Sequence, residues 1–161
     1  MSLQRVYIET SIVSYLRQRP SPQIVAAARQ LLTQQWWDEG RGRYELVTSQ
    51  YVIDEASCGD RTMASERLRT LEGMPLLELD PAIDQLAATI LRSGALQQNA
   101  AVDALHIATA SFHGVDYLLT WNLKHLANRR ILPRVHATLT EAGRAIPIIR
   151  TPEEMLDDEY A

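Results

Sequence analysis

Three acids stand out by where they fall. Glu9 follows the apolar run Val6-Tyr7-Ile8. Glu55 comes a turn or two beyond the run Tyr44–Thr48, and Asp103 opens the segment AVDALHIATASF. Carboxylates brought together repel and raise one another's pKa, so a cluster of them calls for a cation. Hard oxygen donors suit Mg2+ or Mn2+, not zinc. A metal of that kind activates water and steadies charge on a phosphoryl oxygen, the chemistry of phosphodiester hydrolysis. Singly, each acid reads more plainly: Asp103 alone is a surface acid complementing a helix dipole, by about 0.3–1 kcal/mol.

Convergence needs elements that bring these positions to one place. Short apolar runs, Val6–Glu9, Tyr44–Thr48, Leu76–Leu79, Tyr117–Thr120 and Ile146–Ile149, read as strands of a sheet covered on both faces. Helical patterns separate them. They cover Ser11–Arg17, Pro22–Asp38, Gln50–Ser57, Arg61–Leu71, Pro81–Leu91, Ala100–Phe112 and Pro133–Ala142, and a last one starts at Thr151-Pro152-Glu153-Glu154. Asn99 is placed to cap the sixth, and Gly114 to close it. Strands alternating with helices predict an α/β fold: a three-layer α/β/α sandwich around a central parallel sheet of four to five strands. Ligands of such sheets bind beyond the carboxyl ends of the strands, where Glu9, Thr10, Ser11, Thr120, Trp121 and Asn122 fall.

A length of 161 residues is that of one ordinary domain, read as residues 1–150 with 151–161 a helical, acidic tail. The tail Asp157-Asp158-Glu159 reads as a solvated, frayed end. Apolar residues at 46% and charged ones at 22% mark globular composition. A net charge of −4 excludes a general coater of nucleic acid and leaves room for a local basic patch. Cys58 is the single cysteine, which suits a reducing compartment. No apolar run reaches the ~18 residues of a membrane span, and no signal segment is evident. The expectation is a cytoplasmic protein without a membrane partner.

The segments VYIETSIVSYL, TSQYVIDEASCG and VDALHIATASFHGVDYLLTWNLKHL, in that order and spacing, resemble the PIN domain family and, more narrowly, its VapC-type toxin ribonucleases. The resemblance implies a PIN-like nuclease domain and a Mg2+- or Mn2+-dependent endoribonuclease. It also implies the toxin of a type II toxin–antitoxin pair, a cognate antitoxin and a homodimer. Carried over by position, Glu9, Glu55 and Asp103 hold metal, and Asn122 adds a weaker, neutral contribution. Two positions depart from the family pattern. Glu9 stands where Asp is usual, and Asn122 is followed by His125 where an acid is common. Thr10 and Thr120 resemble hydroxyls that hold metal-bound water; strand-end or capping roles fit them equally.

Around these lie residues with two readings each. Lys124, Arg129, Arg130 and Arg134 form the one concentrated basic stretch, either a phosphate-guiding rim or a solvated helix face. Arg17 and Arg19 are candidates for an opposite wall. Trp121 either stacks on an unpaired base or packs on the helix floor. His106, one turn after Asp103, either meets substrate or metal surroundings or is a partly buried helix histidine, the reading adopted. Cys58 reads as a small filler, and Asp54 as a bystander about 100° around the helix from Glu55. Of Trp36 and Trp37, one belongs to the core and the other to an interface. Rival chemistries lack their residues. A haloacid-dehalogenase-type phosphatase needs Asp-x-Asp where this chain has Glu-Thr-Ser, a response-regulator receiver needs an early acidic pair and a late lysine, and no glycine-rich phosphate loop is present. The remaining alternative is a PIN-like domain, catalytically weak or inactive, that binds RNA or protein.

Overall fold

The structure, a computed structural model, describes residues 2–160; the side chains of Gln98, Glu159 and Tyr160 lie outside that description. Its sheet has four strands, β1 (Arg5–Ile8), β2 (Glu45–Val47), β3 (Tyr117–Leu119) and β4 (Ile148–Arg150). All pair in parallel, in the order β2-β1-β3-β4. The helices are α1 (Thr10–Arg17), α2 (Ile24–Gln35), α3 (Gln50–Ala56), α4 (Arg61–Leu71), α5 (Pro81–Arg92), α6 (Ala101–Phe112), α7 (Leu132–Glu141) and α8 (Pro152–Tyr160). They form the outer layers of an α/β/α sandwich. α1 packs on α2 and α4, and α2 on α8. On the other side α5 packs on α6 and α7, while α3 touches both α1 and α6.

The connectivity decides where a site can form. From β1 the chain goes to β2 on one side, then crosses to β3 on the other. The strand order therefore reverses at β1, and a crevice opens between the carboxyl ends of β1 and β3. The register sets Ile8 beside Leu119, so the next residues, Glu9 and Thr120, face each other across that crevice.

Several expectations are corrected. Leu76–Leu79 forms no strand: only a bridge joins Leu76 to Thr48, and Leu76 and Leu79 stay exposed at the sheet edge. Asn99 does not cap α6; a 3-10 turn, Gln98–Ala100, precedes it, and the N-cap Ala100 has no side chain to offer. The long second helix ends at Gln35 and continues as a π turn, Trp36–Gly40, which buries both Trp36 and Trp37. Neither tryptophan is left for an interface. Cys58 is exposed and fills nothing. The acidic tail is helical through Tyr160. Met155 and Leu156 enter the core and Asp158 pairs with Arg150 at 3.2 Å; the Glu159 side chain and Ala161 lie outside the described residues. Among the described residues no helix is long and apolar enough to cross a membrane.

Candidate metal centre

Glu9 ends β1 because it starts α1. It is the N-cap residue, with extended backbone, and its Oε2 accepts the Ser11 N–H at 3.1 Å. A carboxylate there satisfies a free donor of the first turn and complements the helix dipole. Its Oε1 accepts two hydroxyls, Ser11 Oγ at 2.5 Å and Thr120 Oγ1 at 2.5 Å. Those hydroxyls in turn accept backbone N–H groups of the turn after β3: Trp121 N on Ser11 at 2.8 Å, and Asn122 N on Thr120 at 2.9 Å. Glu9 is 5% exposed, and this ring of donors is what makes its burial tolerable.

Glu55, the penultimate residue of α3, is half-exposed. Its Oε1 accepts Thr10 Oγ1 at 2.7 Å and bonds His106 Nε2 at 2.7 Å. Burial pushes its carboxyl up, but the bonds from His106 and Thr10 and the charge of His106 prevail, so the net displacement is below the ordinary glutamate value. Asp103, in the first turn of α6, is displaced the other way. Burial raises it most; nearby His106 lowers it, and Glu9 and Glu55 raise it further. Asn122 Nδ2 donates to Asp103 Oδ1 at 3.2 Å, while Asn122 Oδ1 is turned to His125 N at 3.0 Å. Asn122 thus holds Asp103 and folds its own turn.

Among the described residues, Glu9, Glu55 and His106 have ligand atoms that all lie within 4.8 Å of one another. Asp103 stands beside them, near enough for its carboxyl to feel the charges of all three. The carboxylates are hard oxygen donors, which fit Mg2+ and Mn2+.

His106 departs most from its sequence reading. It is 0% exposed and uses both ring nitrogens, Nε2 to Glu55 and Nδ1 to the Tyr7 hydroxyl at 2.7 Å. Tyr7 Oη also meets Ser49 Oγ at 2.6 Å, and burial pushes the Tyr7 hydroxyl far above its ordinary pKa. The spacing carried a signal. Tyr7 in β1 and Glu9, extended just past its end, share one face at period two, and Asp103 and His106 share one face of α6 three residues apart. An apolar helix nevertheless reads as core, and α6 is buried along most of its length.

The remaining candidates separate. Trp121 is buried; its Nε1 donates to Thr33 Oγ1 at 2.7 Å and its ring packs edge-on against Tyr15, so no base can stack on it in this conformation. Lys124, Arg129, Arg130 and Arg134 are exposed. Arg129 lines a cleft of about 730 Å³, with Trp121, Leu123, Arg150, Asp157 and Asp158, beside the carboxylates but not containing them. Arg17 lies at the far end of α1, on the order of 12 Å of helix from Glu9, bonded to Thr70. It forms no wall of the site. Asp54 is exposed and bonded to Gln50, a bystander as expected.

A family model described as PIN domain matches residues 6–128, most of the chain and every residue of the acid cluster. The chain belongs to the PIN domain family. PIN domains are generally metal-dependent nucleases, which agrees with carboxylates gathered at the switch point. Comparison with curated proteins gives no match.

Proposed function

We propose that this chain is a Mg2+- or Mn2+-dependent endoribonuclease and the toxin of a type II toxin–antitoxin pair, acting as a homodimer with a cognate antitoxin. The observation that supports it is the meeting of Glu9, Glu55 and His106 within 4.8 Å, with Asp103 alongside, at the switch point of a PIN-family sheet. Glu9, Glu55 and Asp103 hold the metal. Bound there, the metal supplies water activation and neutralises phosphoryl charge. Ser11 and Thr120 fix Glu9, Thr10 and His106 fix Glu55, and Asn122 fixes Asp103. The exposed stretch from Lys124 to Arg134 guides the RNA backbone toward these groups.

A second reading, an RNA-binding domain without cleavage, is favoured by one observation: the position after Thr120 supplies only the neutral Asn122 oxygen, turned to His125 N, where a fourth carboxylate would add charge. One experiment divides the two. Purified chain is incubated with single-stranded RNA and Mn2+, with and without EDTA, beside Asp103→Asn. Cleavage that EDTA abolishes and that falls by at least about 100-fold in the variant supports the nuclease. RNA binding without cleavage supports the second reading, and cleavage indifferent to EDTA refutes the metal-dependent site. The toxin role is checked separately, by whether expression of the chain arrests growth and expression of an upstream small protein restores it.

A further inference from the structure

Behind the His106 that fixes Glu55 lie two further buried polar groups, Tyr7 and Ser49, with no place in the chemistry assigned so far. Ser49, Tyr7 and His106 are all 0% exposed, and each comes from a different element: the N-cap of α3, the middle of β1 and the second turn of α6. Ser49 sits where its hydroxyl would ordinarily cap α3, yet it makes no cap bond and turns to Tyr7. Buried polar groups cost stability unless each is paired, and here each is. Three elements are therefore committed to presenting one imidazole edge to one carboxylate oxygen.

The roles along the chain follow from donor and acceptor capacity. An ionised glutamate only accepts, so the 2.7 Å contact with Glu55 Oε1 requires the proton on His106 Nε2. Nδ1 is then in contact with the Tyr7 hydroxyl, which fixes the plane of the ring. Thr10 Oγ1 also donates to Oε1. Both fixed donors fall on one oxygen, and Oε2 receives neither.

We propose that His106 is a positioning residue: it clamps Glu55 Oε1, leaves Oε2 as the oxygen available to the metal, and is itself held by Tyr7 and Ser49. The proposal rests on the metal-centre reading above. Hydrogen-bonded partners of this kind orient a ligand before the metal arrives, and their loss typically weakens metal binding about 10–100-fold. The role explains why an imidazole lies so near the carboxylates while both its nitrogens are already engaged. It also explains why an ordinary N-cap bond is given up at Ser49.

The test measures Mn2+ affinity by the paramagnetic resonance signal of free Mn2+, without substrate, on folded parent, His106→Leu and His106→Gln. Leucine keeps the volume and removes both hydrogen bonds; glutamine restores an N–H near the Nε2 position. The expected result is a dissociation constant raised about 10–100-fold in His106→Leu and returned to within about threefold of the parent in His106→Gln. Circular dichroism confirms folding. If His106→Leu does not fold, Tyr7→Phe, which keeps both rings and removes only the hydroxyl, carries the test through a several-fold loss of affinity. A folded His106→Leu or Tyr7→Phe that binds Mn2+ as the parent does overturns the positioning role. So does a directly bonded imidazole nitrogen in the electron spin echo modulation of bound Mn2+, which would make His106 a ligand. A parent that binds no Mn2+ at millimolar concentration overturns the metal centre itself, a failure distinct from either.

Discussion

Replacing Thr120 by Val isolates how Glu9 is held. Valine matches threonine in shape and Thr120 is 0% exposed, so no cavity or overpacking enters the result. Three hydrogen bonds disappear, of which the 3.4 Å contact with Ser11 Oγ is too long to contribute much and two decide the result. The first, Thr120 Oγ1 to Glu9 Oε1 at 2.5 Å, has an ionised acceptor and contributes about 1.5–3 kcal/mol. The second leaves the Asn122 N–H without its acceptor, at a half-exposed turn where water partly compensates, for about 1 kcal/mol. The sum is about 2.5–4 kcal/mol. For a chain of this size each kcal/mol moves the melting temperature by about 2–4 °C, so the variant should melt roughly 5–16 °C below the parent. The measurement is calorimetric melting of both proteins at neutral pH with chelator present. Ser11→Ala should add to the loss less than its own single effect, because both hydroxyls act on the same oxygen. A Thr120→Val protein that melts within about 2 °C of the parent, below the smallest shift expected, would refute the claim that the turn after β3 holds Glu9.

Asp103→Asn should raise the chelated melting temperature at pH 7: a carboxyl displaced upward from 3.8 gives stability below that value and loses it as pH rises through the folded value, so the gap between variant and parent should open with pH. A variant melting below the parent at pH 7 refutes this. Mn2+ at ten times its dissociation constant should stabilise the parent by about 1.4 kcal/mol, and the variant by less. Arg129→Ala with Arg130→Ala should flatten the salt dependence of single-stranded RNA binding by about 0.7 in log–log slope for every phosphate no longer neutralised, and an unchanged slope returns the stretch to a solvated face.

The sheet was legible because its apolar runs are short and alternate with long amphipathic stretches, a pattern that only a covered parallel sheet satisfies. Leu76–Leu79 carries the same composition, yet it lies past β2, where a single bridge to Thr48 is all the pairing it gets. Composition does not report which strand is outermost. The positions of Glu9, Glu55 and Asp103 followed from strand ends and from the helices just beyond them. His106 did not, because a histidine on an alanine-rich helix has the same local signature whether it is packing or bonding. Its partners, Tyr7 and Glu55, are 99 and 51 residues away and meet it only through the pairing of β1 with β3 and of α3 with α6. Trp121 was undecidable for a similar reason: what buries it is Thr33, on a helix 88 residues earlier.

A carboxylate at the end of a buried strand is explained by what it gathers. One oxygen caps α1 and the other takes the hydroxyls of Ser11 and Thr120. Glu9 therefore joins β1 to the turn after β3, the two sides of the crevice, and belongs to the fold as much as to the site. Glu55 is built differently. It is half-exposed on a seven-residue helix and is fixed from outside that helix, by Thr10 and by the buried His106. The two carboxylates thus divide the demands of a metal centre, one rigid by local structure and one steered by distant partners. Loosening Thr120 should consequently register first as stability, and loosening His106 first as metal affinity. Their measured order is a direct reading of how the centre is assembled.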